Sequence, residues 1–139
     1  MGRLLGHRFL ELTYGGRTSR KVRRVLLEVA RYDAAQRESV VVAAWGDRTE
    51  WYRNLLAEPA LMAETGGHRF RPIQRVLSPA ETYDVMRDYV GRHTWATPIA
   101  RRLFGLRFDD GARDRQELGK LRAVGLSEPI LRDSAGTPR

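Results

Sequence analysis

Phe9-Leu10-Glu11-Leu12-Thr13-Tyr14 and Val25-Leu26-Leu27-Glu28-Val29-Ala30-Arg31-Tyr32 flank the run Gly16-Arg17-Thr18-Ser19-Arg20-Lys21-Val22-Arg23-Arg24. The two flanks are short and rich in apolar and aromatic residues, and they read as β-strands. The run between them reads as a hairpin loop. It carries five positive charges, no acid, and Gly, Thr and Ser at its entry. Charge, hydroxyls and backbone N–H groups together suit a phosphate or a carboxylate. The ligand expected from this stretch is therefore anionic.

Downstream, Asp33–Glu38 is polar and turn-like. Ser39-Val40-Val41-Val42-Ala43-Ala44-Trp45 is a β-branched and small apolar run, expected to be a central strand buried on both faces and ended by Gly46. Asp47 and Glu50 have the spacing of a capping box, which predicts a helix through Trp51, Leu55 and Leu56 that stops near Pro59. Leu61–Thr65, Gly66-Gly67 and His68–Leu77 predict a second hairpin, with its later strand at an edge or bulged around Pro72. Ser78, Pro79 and Glu81 form the clearest helix start, followed by the apolar positions Tyr83, Met86, Tyr89 and Val90. Thr97-Pro98 opens a short helix over Ile99–Phe104. Leu118, Leu121 and Val124 suggest an amphipathic turn or two, and the residues from Asp133 onward read as disordered.

This order, β-β-β-α-β-β-α-α, predicts an α+β fold of antiparallel strands with a few helices, a sheet or small barrel. Residues 1–106 are expected to form the domain, with 107–139 as a charged tail, partly helical or disordered. A doubly wound nucleotide fold would alternate strand and helix, and the chain has no G-x-G-x-x-G and no Walker loop.

At 139 residues the chain is long enough for an ordinary core. It has no cysteine, so thiolate chemistry is excluded, and His7, His68 and His93 show no metal-ligand spacing. The net charge of +8 and a pI near 10.7 speak for anionic partners. Lys21 and Lys120 are the two lysines among 25 basic residues, and such a bias for arginine also follows from genomic base composition alone. No run reaches the ~20 apolar residues of a membrane span, and Met1–His7 lacks the features of a signal peptide. The expected location is cytoplasmic.

Two motifs, in this order, resemble the deazaflavin-dependent nitroreductase family, whose members bind coenzyme F420. The first is the basic hairpin Gly16–Arg24. The second is Trp51-Tyr52-Arg53-Asn54-Leu55-Leu56-Ala57-Glu58-Pro59, which matches every fixed position of the family's W-Y-x-N-L-x-A-x-P. The resemblance covers about Leu5 to His93. It implies a split β-barrel like that of FMN-binding pyridoxamine oxidases, and hydride transfer from reduced F420 to a quinone-like or other small organic acceptor. The cofactor carries the reaction and the protein binds and orients it, so no catalytic side chain is expected. Arg17, Lys21 and Arg23 would meet the phosphodiester or the polyglutamate tail, with Thr18 and Ser19 adding hydroxyls. Trp51 and Asn54 lie in the second motif and join the cofactor-binding set, although Trp51 and Tyr52 also read as core packing and Asn54 as a structural residue bonded to a neighbouring strand. Adjacent helical positions diverge, so Trp51 and Tyr52 are not expected to face one pocket.

The chain also departs from the family. Thr18, Arg20 and Val22 stand where lysine, glycine and proline are frequent. The loop before Trp51 is shortened to Ala44–Glu50, losing a Lys and a Ser; Arg48 can replace the charge and Trp45 can stack on the ring. Arg92-His93-Thr94-Trp95-Ala96-Thr97-Pro98 replaces a tyrosine-rich segment, so nitroreductase substrate preference is not carried over. His93 and Trp95 become the acceptor-pocket candidates.

Other readings stay open at this point. FMN is a second cofactor candidate. A carrier on the same fold would hold a deazaflavin, a flavin, haem or a fatty acyl ligand without turnover. A nucleic-acid or membrane-surface binder would use the +8 charge and lose affinity steeply with salt. Aromatic residues do not interleave with the basic run, which argues against nucleic acid; Phe70 between Arg69 and Arg71 is the exception. A homodimer is a further expectation from the resemblance.

Overall fold

The structure is a computed structural model that describes residues 6–43, 45–92 and 121–129. β1 (Phe9–Gly15) buries Leu10, Leu12 and Tyr14 and turns Phe9, Glu11 and Thr13 the other way, the period-2 alternation of a strand with one core face. It pairs antiparallel with β2 (Val22–Glu28), placing Leu12 opposite Val25 and Tyr14 opposite Arg23. On its other side β1 pairs with β5 (Met62–Thr65), which continues through Gly66-Gly67 into β6 (His68–Phe70). The first sheet thus has the order β2-β1-β5-β6.

The second sheet, β3-β4-β8-β7, is built from β3 (Arg31–Asp33), β4 (Glu38–Ala43), β7 (Ile73–Val76) and β8 (Arg122–Ser127). Two bent segments link the sheets. The expected strand Val25–Tyr32 is cut at Val29-Ala30: Val29 N–H donates to the Arg8 carbonyl (2.8 Å) and Ala30 N–H to the Val40 carbonyl (2.8 Å). The hydrogen-bond partner changes sheet within one residue. The expected strand His68–Leu77 is cut at Arg71-Pro72, where a proline has no N–H to give to either sheet. The edge strands of both sheets are therefore the two halves of these bent segments, and the fold is an α+β split barrel. Leu10, Leu12, Tyr14, Val41, Val124 and Leu126 fill the space between the sheets.

α1 (Glu50–Ala57) adds Trp51, Tyr52 and Leu55 to that core. Both aromatics are buried, with rings edge to face at 6.3 Å, so the reading of Trp51 and Tyr52 as core packing holds. The apolar surface beneath the helix is broad enough to take both. Asp47 does not cap α1. It lies in a 3₁₀ turn (Gly46–Arg48) and pairs with Arg122 of β8 (3.0 Å), while Thr49 is the N-cap. α2 (Pro79–Arg92) does begin as expected: Glu81 N–H donates to Ser78 Oγ (3.1 Å). Its Val85, Met86 and Val90 are buried and, with Leu77, cover the outer face of the second sheet, where Val40 and Ala123 lie. The Glu81 carboxylate does not close the box. It reaches Arg75 (2.7 Å), which also binds Glu38 (2.8 Å).

β8 corrects the helical reading of Leu121 and Val124. Arg122–Ser127 is a central strand, pairing with β4 on one side and β7 on the other, so the charged 107–139 segment supplies a strand to the barrel. Gly125 is required there: a Cβ would run into the Glu38 side chain on its way to Arg75. The expected helix over Ile99–Phe104, Leu118 and the residues from Asp133 lie outside the described residues. Among those described, no helix is long and apolar enough to cross a membrane.

At the far end of β1 from the basic hairpin, the His7 ring stacks on Tyr32 (3.7 Å between centroids, 7° between planes) and packs over Gly66. His68, beside it, binds Glu128 (3.0 Å). Burial, then the neighbouring His68, hold the His7 pKa below 6.5, with Glu128 opposing them. A lowered histidine pKa means the folded state prefers the neutral ring, so this stabilisation is complete above 6.5 and declines as pH falls from 6.5 toward the folded value. His7→Phe is expected to remove that part of the pH dependence of thermal stability; a denaturation series between pH 7 and 5 checks it. Leu126→Ala is expected to cost about 2–5 kcal/mol in urea denaturation, whereas a residue in a solvated tail would cost almost nothing.

Candidate anion-binding site

The loop between β1 and β2 is tightly closed. Gly16 N–H donates to the Lys21 carbonyl and Arg20 N–H to the Gly16 carbonyl, each at 2.8 Å. Arg20 takes a positive φ of 60°, a backbone conformation that glycine adopts more readily than arginine. Lys21 N–H donates to Ser19 Oγ (3.2 Å). A Cβ on Gly16 would lie 2.6 Å from Ser19 Oγ and 3.4 Å from Arg23 Nε and the Lys21 carbonyl. The Ser19 hydroxyl, the Arg23 guanidinium and the main-chain carbonyl of Lys21 thus surround the bare Cα of Gly16. The register adds a direction. Arg23 faces Tyr14 across the ladder, and opposed residues share a sheet face. Arg23 therefore lies on the barrel-facing side of the sheet while remaining exposed to solvent.

Asn54 fastens this loop to α1. Its side chain is 1% exposed. Its Oδ1 accepts from Arg17 N–H (2.6 Å) and Arg17 Nη1 (3.2 Å), while its Nδ2 donates to the Glu50 carbonyl (2.8 Å). The expectation of a structural Asn54 holds, but its partner is the hairpin loop. Glu50 Oε1 accepts from Arg17 Nη1 (2.9 Å). That hydrogen bond and the guanidinium charge hold the Glu50 carboxyl below the usual carboxylate range. Sequence reasoning took Glu50 only as half of a capping box. Its position one turn before Asn54 was the signal that it shares a helix face with that residue.

Trp45 and Arg48 flank the turn leading into α1, whose first residue is Glu50, so they stand at the hairpin end of the barrel. Trp45 is 63% exposed, and its N–H donates to Thr49 Oγ1 (3.0 Å). Arg48 and Thr18 are exposed. Trp51 points into the core instead. His93 and Trp95 lie outside the described residues. The structure thus brings Arg17, Thr18, Ser19, Lys21, Arg23 and Asn54 into one loop assembly. Its donor set of guanidinium, ammonium and hydroxyl groups fits a polyanion such as a phosphodiester with a carboxylate tail.

No protein-family model matches the chain, and no curated protein sequence does. Solved structures do. An F420-H2 dependent reductase (FDR-A) superposes with a TM-score of 0.57 at 16% identity, over 88% of this chain and 96% of that one. A chain described as a domain-swapped dimer matches at 0.57 and 16%, over 88% and 82%. A pyridoxamine 5′-phosphate oxidase-related, FMN binding protein from Nostoc punctiforme matches at 0.51 and 12%, over 88% and 71%. The fold is the split barrel of deazaflavin-dependent nitroreductase-like and FMN-binding proteins.

Asn54→Ala leaves the Arg17 N–H without its acceptor in a partly buried place. It is expected to destabilise the protein by about 1–3 kcal/mol and to raise amide exchange across residues 16–21, which hydrogen-exchange mass spectrometry reads directly.

Proposed function

We propose that the protein is an oxidoreductase that binds F420 at the basic hairpin and serves hydride transfer to a quinone-like or other small organic acceptor. The Ser19 hydroxyl and the Arg23 guanidinium brought together over Gly16, in a loop that also carries Lys21 and beside an Arg17 fixed by α1, carry this reading. A deazaflavin is a flavin-like ring on a long polyanionic chain, and this loop offers the polyanion its charges and hydroxyls. The reduced deazaflavin, when bound, supplies the hydride. The protein's part is to hold the anionic chain with Arg17, Lys21 and Arg23, to add hydroxyls from Thr18 and Ser19, and to keep Trp45 and Arg48 available at the ring end. His93 and Trp95 are proposed for the acceptor pocket. The family resemblance and the reductase fold neighbour support F420 over FMN, which remains the second cofactor candidate.

A homodimer is proposed from the resemblance and from the domain-swapped neighbour, and a cytoplasmic location from the sequence reading. Titration with F420, FMN and haem tests the cofactor assignment, and saturable binding of F420 alone is the expected result. Binding without reduction of any quinone by the loaded protein would instead identify a carrier. The double substitution Lys21→Ala with Arg23→Ala is expected to weaken F420 binding at least tenfold, since each charge-assisted hydrogen bond contributes about 1.5–3 kcal/mol. An unchanged dissociation constant removes the hairpin from the site.

A further inference from the structure

Among the described residues, Arg17 is held at one corner only. Both contacts of its guanidinium are made by Nη1, to Asn54 Oδ1 at 3.2 Å and to Glu50 Oε1 at 2.9 Å. An Nη1 carries two N–H groups, so these acceptors saturate it. The remaining donors, Nε–H and the two on Nη2, form the planar edge that receives a carboxylate or a phosphate two bonds at a time. Among the described residues no hydrogen bond or ion pair to a protein group occupies that edge. The backbone of the same residue is fixed too, through Arg17 N–H to Asn54 Oδ1 at 2.6 Å. Main chain and side chain of Arg17 thus share one buried amide oxygen, and the carboxylate of Glu50 sets the plane of the guanidinium.

We propose that Glu50 is a positioning residue of the anion site: it locks Arg17 by Nη1 so that the Nε/Nη2 edge is presented, already oriented, to a phosphate or carboxylate of the ligand. Glu50 itself touches no ligand and acts through Arg17. An arginine left unanchored would sample many rotamers and lose their entropy on binding. One held at Nη1 has lost it beforehand. The negative charge next to the site costs little, because the Glu50 side chain is 64% exposed and water screens it. The inference rests on the proposed anion-binding reading of the hairpin.

The test is a thermodynamic cycle with F420 as the probe, in the full chain, on the wild type, Glu50→Ala, Arg17→Ala and the double variant. Glu50 is exposed, so thermal melts of Glu50→Ala are expected to match the wild type closely. If Glu50 acts through Arg17, Glu50→Ala weakens F420 several-fold in the wild-type background and has no further effect once Arg17 is alanine. Glu50→Gln, which keeps an acceptor oxygen in place, recovers part of the loss. Equal losses in both backgrounds, no loss at all, or tighter binding in Glu50→Ala would each overturn the proposal; the last would mean that Glu50 competes with the ligand for Arg17. Absence of F420 binding by the wild type overturns the cofactor reading and this inference together. Binding by the wild type with an indifferent Glu50 overturns this inference alone.

Discussion

The barrel depends on a change of hydrogen-bond partner between Val29 and Ala30. One N–H goes to the Arg8 carbonyl beside β1 and the next to the Val40 carbonyl of β4. A buried backbone donor without an acceptor is costly, so the bend is stable only with both sheets there to accept from it. The segment around Pro72 makes the second corner by the opposite means, since proline has no donor to satisfy. With the corners set, the inner residues of both sheets face one another and share one core. α2 is then needed to cover the outer face of the second sheet, where Val40 and Ala123 would otherwise be bare.

α1 joins this core to the candidate site. Trp51, Tyr52 and Leu55 anchor the helix in the barrel, and Glu50 and Asn54, one turn apart, hold the hairpin loop. The rigidity of the loop is therefore borrowed from the hydrophobic core through one short helix. This explains how a strongly cationic loop keeps a defined shape despite its mutual repulsion. Two backbone bonds close it, and a buried amide and a carboxylate tie it down. It also gives the W-Y-x-N-L pattern a physical meaning: the aromatic pair and leucine pack, and the asparagine transmits that packing to the loop.

Much of the site was legible beforehand. The charge run, the glycine at its entry and the hydroxyls beside it are local features, adjacent in the chain and therefore readable from the sequence. Glu50 was misread because its acid suits both a helix cap and an arginine partner, and spacing alone does not separate the two. Asp47 was misread for the same reason: its carboxylate goes to Arg122, a residue 75 positions away. The helical spacing of Leu118, Leu121 and Val124 concealed β8, whose Gly125 looks like a strand breaker until the Glu38 side chain is seen lying across it.

The sequence by itself determined the antiparallel hairpins, the valine-rich central strand, both helices and the cationic loop, because each is decided by neighbours a few residues apart through alternation, capping or turn chemistry. Only the tertiary structure decided where the long strands bend, that a strand from the charged C-terminal segment completes the second sheet, and that Arg17 is locked by Glu50 and Asn54. These outcomes depend on which distant backbone and side-chain groups are near enough to accept a hydrogen bond or share a charge. Local sequence carries no record of those distances.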